Sequence, residues 1–307
     1  MKLALVVALT TVACGAVRAH EVRIPAGPAS LFVREIGRGP SIIVLHGGPD
    51  FDQSYLLPDL DRLADEYRLI YYDQRGRGRS AEGVRPEDVT LASDIDDIDR
   101  VREHFQLKRA AILGHSWGGL LALEYAIRHP DRVSRLILMN PAPVSAADFA
   151  QFRQAYRERL GPGYDRLRAI AGTEEYKRGD PEAVAAYYAI HFKPALERQA
   201  DVDTIVARIK ASATAAGVLK ARAIEDRLDD ETWLSNGYDL LPKARALRVP
   251  TLVIYGDHDL IPKVTVEHIA DAIPGARLVT LPHCGHFPYL ECPDATRRTI
   301  DDFFRQR

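Results

Sequence analysis

The stretch Gly114-His115-Ser116-Trp117-Gly118 constrains this chain more than any other. A strand-like segment, 109–113, runs into it. A helical segment, 120–128, leaves it and stops at His129-Pro130. A strand that feeds a helix through so tight a turn forces the central residue into a strained backbone conformation, and flanking glycines keep side chains from clashing there. Ser116 then stands clear at the C-terminal end of its strand, with the helix N-terminus aimed at it. The bare pattern is common, and a glycine-rich turn without chemistry is the plain alternative. The strand-turn-helix context favours a nucleophile elbow.

Around this turn the chain alternates apolar runs with helical ones. Ser41–Leu45 is a continuous apolar run ending in His46-Gly47-Gly48-Pro49, and Arg68–Tyr72 another, ending at Asp73. Segments 133–138, closed by Asn140-Pro141-Ala142-Pro143, and 250–255 repeat the pattern, which marks strands buried on both faces. Segment 30–36 alternates weakly and reads as an antiparallel edge strand, with 21–24 as a candidate partner. Residues 54–66 read as a helix with Leu56, Leu57, Leu60 and Leu63 on one side. Thr90 caps a second helix that runs to Phe105. It turns Leu91, Ile95, Ile98 and Val101 inward and Asp94, Asp96, Asp97 and Asp99 outward, as a solvated acidic face. A helix over 265–273, a strand over 276–281 and a helix over 294–304 close the chain. Strands alternating with helices imply an α/β fold with a mostly parallel, doubly wound sheet. Between 145 and 243 the apolar strands vanish, and Ala, Arg, Glu, Asp and Tyr at helical spacing replace them. This gives a core of 20–144 and 244–307 interrupted by a helical insertion, 145–243.

In such sheets sites form at the C-terminal ends of strands, where His46-Gly47-Gly48, Asp73, Ser116, Asp259 and His286 fall. A serine needs a base, and the base needs an orienting acid. Of the ten histidines, His286 sits best, just after the last strand. His283 is its local competitor, while His46 and His115 flank turns and are expected to bond backbone there. The acid should precede the histidine in the order Ser…Asp…His. Asp259 in Gly256-Asp257-His258-Asp259 is the choice, and Asp257 is the alternative, better placed to cap the turn. The oxyanion donors are read as the amides of Trp117 and Gly48.

A net charge of −2 implies no nucleic-acid face. No Cys/His set has metal-ligand spacing, and the proposed chemistry needs no metal or organic cofactor. Met1-Lys2, an apolar stretch over 3–13 and Val17-Arg18-Ala19 read as a secretory signal cut after Ala19, so a periplasmic or secreted protein is expected. A lipoprotein acylated at Cys14 is the alternative. After cleavage no membrane-spanning segment is expected, and only Cys284 and Cys292 remain, either paired or free.

His46-Gly47-Gly48-Pro49, Asp73-Gln74-Arg75-Gly76-Arg77-Gly78-Arg79-Ser80, Gly114-His115-Ser116-Trp117-Gly118-Gly119, Gly256-Asp257-His258-Asp259 and His283-Cys284-Gly285-His286 together resemble the α/β-hydrolase fold. More narrowly they resemble the proline iminopeptidase group of serine aminopeptidases, over essentially the whole chain after the signal. The resemblance implies a helical cap at 145–243 and an arginine run that holds loops near the site through carbonyls and Asp73. It implies a small peptide substrate, with an ester, lactone or amide as the alternative and a non-catalytic receptor as a remote one. Two departures bear on the substrate. Asp50 stands where the oxyanion loop commonly carries a glycine, and Leu260 stands where a glutamate can meet the substrate's free amine. Glu225, Asp226, Asp229, Asp230 and Glu231 lie in about the region where a second such glutamate belongs. The spacing does not pick one, and a solvated acidic helix explains them equally well. Glu225 is carried as the candidate. Asp50 is a candidate for supplying the missing charge.

Overall fold

A computed structural model describes residues 18–306. The expected signal and the Cys14 alternative lie outside these residues, except for the cleavage point at Ala19. One eight-stranded sheet carries the fold, in the order β1 (His20–Ala26), β2 (Ala29–Ile36), β4 (Arg68–Tyr72), β3 (Ser41–Leu45), β5 (Ala110–His115), β6 (Val133–Met139), β7 (Thr251–Gly256) and β8 (Arg277–Leu281). β2 is antiparallel to both β1 and β4, and the remaining pairs are parallel. The edge strand is therefore β1, and the segment read from sequence as an edge lies second. Strands β3, β5 and β6 bury nearly every side chain, as their continuous apolar runs require. The chain leaves β3 for β4 on one side and then crosses to β5 on the other. This reversal of strand order opens a crevice beyond the ends of β3 and β5. Leu45 pairs with Gly114 there, so the His46-Gly47-Gly48 loop and Ser116 emerge side by side.

The helices among the described residues are α1 (Leu91–His104), α2 (Trp117–Arg128), α3 (Ala146–Leu160), α4 (Pro162–Ala171), α5 (Glu174–Lys177), α6 (Pro181–His191), α7 (Ala200–Ser212), α8 (Ala215–Glu231), α9 (Leu241–Ala244), α10 (Lys263–Ala272), α11 (Pro288–Glu291) and α12 (Pro293–Arg305). Helices α3 to α9 intervene between β6 and β7, and α3 to α8 make up the insertion. The chain enters and leaves this insertion at one seam, where Ala146 N donates to Tyr238 O and Leu240 N to Val144 O.

Two expectations need correction. Residues 54–66 form no α-helix. Gln53–Leu56 and Asp59–Asp65 are 3-10 segments separated at Pro58, which has no N–H to give and disfavours helical backbone before it. Leu56, Leu60 and Leu63 still face the core. The acidic row of α1 is not a solvated face either. Thr90 caps the helix as read, and Ile95, Ile98 and Val101 point inward, but Asp94 and Asp97 are fully buried. Arg77 clasps Asp94 with both nitrogens, at 3.0 and 2.7 Å, and Arg75 clasps Asp97 at 2.9 and 2.6 Å. The helix packs on the arginine loop, so Asp94 and Asp97 serve as that loop's counter-ions. Arg77 also donates to Pro49 O and Arg75 O, which pins the His46–Pro49 loop. Asp73 takes the backbone amide of Arg79 and the Gln53 amides rather than an arginine side chain. The Arg79 guanidinium goes to Glu21 instead.

Candidate active site

Ser116 stands at φ 56° and ψ −120°, as the last turn of β5 into α2 requires. Its amide donates to Met139 O, and its carbonyl accepts from Gly119 N and Ala142 N, so both backbone groups of Ser116 are tied. The glycines are obligatory. A Cβ on Gly114 would meet Gly118 O at 2.0 Å, and one on Gly118 would meet Leu45 O at 2.3 Å.

His286 and Asp259 meet as expected. His286 Nδ1 is 2.8 Å from Asp259 Oδ1. The aspartate is buried, and it is held further by Ile261 N at 3.0 Å and by Asn140 Nδ2 at 2.6 Å on its other oxygen. Asn140 sits at the end of β6 in positive φ and bridges Asp259 to Gly285 O, which locks the acid beside the histidine loop. Ser116 and His286 line one cavity of about 410 Å³. The competitors fall away on position. His283 is largely exposed, and Asp257 is exposed with its carboxylate on Cys284 N, capping the turn.

The other two flanking histidines are built into the frame. His46 donates Nδ1–H to Gly47 O and accepts from Gln74 N, and burial pushes it down to about 4. His115 is likewise kept neutral by burial. Gly47 N donates to the Tyr55 hydroxyl at 2.6 Å, and that hydroxyl donates to His115 Nδ1 at 2.7 Å. His115 Nε2–H then donates to His286 O at 2.7 Å. The chain of bonds ties the glycine loop to the histidine loop. It also consumes the amide of Gly47, so a substrate oxygen cannot use it. Gly48 lines the cavity at φ +124°, a conformation only glycine adopts freely, and a Cβ there would lie 2.4 Å from Asp50 N. Trp117 opens α2, where amides have no intrahelical partner. Sequence reading missed Asn140, Tyr55 and the bridging role of His115. The position of Asn140 at a strand end beside β7 was the one usable signal.

The same cavity is lined by Asp50, Glu225, Asp226 and Asp229, with Arg222 among them. Burial raises Asp50, and it raises Glu225 well above the usual carboxylate range, with the Asp50 charge adding to the effect. Asp229 is pushed up to about 7 by burial and by Asp226 and Asp230. Asp50 also accepts from the Tyr188 hydroxyl. Leu260 lines the cavity at the place the resemblance reserves for a glutamate.

Cys284 and Cys292 are bonded to each other, with Cα atoms 6.1 Å apart, across the loop that carries His286. Among the described residues no helix is long and apolar enough to cross a membrane.

The sequence profile of the α/β-hydrolase fold family matches residues 40–293. The chain belongs to that family. Its sheet and the Ser116 turn agree with the match, and the protein is a hydrolase enzyme. It resembles a proline iminopeptidase from Heyndrickxia coagulans, at 29% identity over 88% of this chain and 92% of that one. It resembles a putative carbamate hydrolase, RutD, from Rhizobium rhizogenes at 28% identity, over 86% and 93% of the two chains. A thermophilic esterase from Thermogutta terrifontis superposes with a TM-score of 0.65 at 26% identity, over 94% of this hydrolase and 99% of the esterase.

Proposed function

We propose that this hydrolase is a serine aminopeptidase that releases the N-terminal residue, proline foremost, from short peptides. Ser116 Oγ attacks the first carbonyl and gives its proton to His286 Nε2. Asp259 holds the imidazole in the tautomer that accepts it. The amides of Trp117 and Gly48 stabilise the oxyanion. His286 then protonates the departing amine, and water, activated by the same histidine, releases the acyl group from Ser116. The observation that carries the peptidase reading is the set of carboxylates that share the cavity with Ser116. Asp50, Glu225 and Asp229 crowd one wall of the cavity with Arg222 as the cation among them. Crowded, desolvated carboxylates are costly, and an incoming α-ammonium group would relieve them. Glu225 and Asp229 would hold the ammonium, with Asp50 adding charge at the mouth.

A carboxylesterase or amidase is the second reading. It is favoured by Leu260 and by the aromatic walls, which include Phe149, Phe152 and Trp233. A panel of prolyl and alanyl arylamides with p-nitrophenyl esters, run on the wild type and Ser116→Ala, separates the readings. Arylamide turnover that vanishes in Ser116→Ala is expected. Turnover of esters alone would replace the peptidase with the esterase.

Export is proposed on separate grounds, since the Cys284–Cys292 disulfide suits an oxidising compartment. The mature chain is expected to begin at His20. A mature protein retaining Met1 would refute export by this signal.

A further inference from the structure

A second cavity of about 360 Å³ adjoins the first. It lies between the insertion and the loops after β3 and β4, and its walls are mostly small or apolar, among them Val184, Ile209, Ala213 and Ala221. Asp50, Phe51, Tyr188 and Arg222 line both cavities and so form the wall between them. The wall is assembled from two sides. Asp50 and Phe51 come from the loop after β3, and Tyr188 and Arg222 from α6 and α8 of the insertion. Tyr188 closes it. Its hydroxyl donates to Asp50, and its ring packs edge-on against Phe51 at 5.1 Å and stacks on Phe192 at 5.5 Å. Arg222 is immobilised as well, stacked 3.7 Å over the Tyr176 ring and donating to Tyr176 O.

We propose that the second cavity is an acyl-chain subsite, closed off from Ser116 by the Tyr188–Asp50 partition, and that this partition sets the length of acyl group the enzyme accepts. The chemistry of the chamber selects the occupant. Its aliphatic and small side chains suit an unbranched alkyl chain or an apolar second residue. It continues from the carboxylate wall, the side on which the acyl group lies in the reading above. With the partition shut, acyl groups end at the carboxylates. That length limit matches release of a single residue. With it open, a longer acyl group threads past Arg222 into the chamber. The proposal rests on acylation of Ser116 and not on recognition of an amine.

The test uses ethyl and octyl fluorophosphonates, which phosphonylate an activated serine and carry no amine. The rate of adduct formation on Ser116 is followed by intact mass. Failure of the ethyl reagent to label the wild type would overturn the serine mechanism itself, a result distinct from failure of the subsite. Tyr188→Ala is expected to raise the octyl-to-ethyl rate ratio at least tenfold. Asp50→Gly opens the same wall from the core side and should move the ratio in the same direction, which covers a Tyr188 variant that does not fold. Ala213→Phe fills only the second chamber. Alone it should leave the ethyl rate unchanged, and combined with either opening variant it should return the ratio to the wild-type value. An unchanged ratio in both opening variants, or a gain that survives Ala213→Phe, would overturn the subsite.

Discussion

Two acidic clusters in this molecule are treated in opposite ways. On α1, Asp94 and Asp97 are buried and each is clasped by an arginine from the loop after β4, in two-pronged geometry. In the cavity, Asp50, Glu225, Asp226 and Asp229 share a wall with Arg222, whose own donors are partly spent on the Tyr176 carbonyl. The first cluster balances charge inside the protein. The second is pushed by burial and mutual repulsion toward its neutral, protonated form, which an incoming cation would reverse. Internal pairing fixes the arginine loop and, through Arg77 and Pro49 O, the glycine loop beside Ser116. Carboxyls held away from their charged form are a standing cost that a bound cation can relieve, and this makes the cavity wall the part of the molecule suited to meet a ligand.

Breaking the first cluster should have the largest effect. Arg77→Met leaves Asp94 buried without a partner and is expected to cost about 3–5 kcal/mol, read by denaturant unfolding. Replacing both partners together, Arg77→Met with Asp94→Leu, should recover most of that loss. If the single variant is as stable as the wild type, the pair is not structural and the comparison fails.

The cavity wall should respond the other way. Glu225→Gln replaces a buried carboxyl already pushed toward its neutral form with a neutral amide of the same shape, so stability at neutral pH should hold or rise. The Michaelis constant for a free-amine arylamide should increase roughly tenfold or more, the worth of a charge-assisted hydrogen bond. A loss of stability with no change in the Michaelis constant would assign Glu225 to the scaffold.

Asp229 sharpens the contrast through pH. Its carboxyl is raised to about 7, so the folded chain keeps a proton that the unfolded chain releases near pH 4. Its contribution is therefore favourable at low pH and is lost as pH rises through about 4 to 7. Thermal stability should decline across that window less steeply in Asp229→Asn. Over the same range ionisation of Asp229 should lower the Michaelis constant for amine substrates, and the variant should lack that inflection.

Asp50→Asn should give the smallest effect, a few-fold rise in the Michaelis constant for amine substrates and none for simple esters. Its Oδ2 accepts the Tyr188 hydroxyl, which leaves Oδ1 for a substrate. Equal effects on both substrate types would remove Asp50 from amine binding.

Much of the core could be read from residue patterns because each strand carries its burial in its composition. Ser41–Leu45 and Arg68–Tyr72 coincide with β3 and β4 to the residue. The Ser116 turn was legible because only glycine fits beside it. Position along the chain also brought Asp259 to His286. What stayed hidden depended on neighbours distant in sequence. Asp94 looks solvated on its own helix and is buried only because the arginine loop folds over it. Asn140 became visible only when β6 and β7 lay side by side. Pro58 ended a helix that leucine spacing alone would have drawn through it. The cavity wall was the least legible, since Asp50 and Glu225 come from loop and insertion and are joined only by tertiary packing.

The most direct measurement compares kcat/KM for a prolyl arylamide with that for its N-acetyl derivative, in the wild type and in Glu225→Gln. A carboxylate wall that holds an α-ammonium group predicts a preference for the free amine of roughly a hundredfold or more, reduced about tenfold or more by the substitution. Equal turnover of both substrates by the wild type would contradict it.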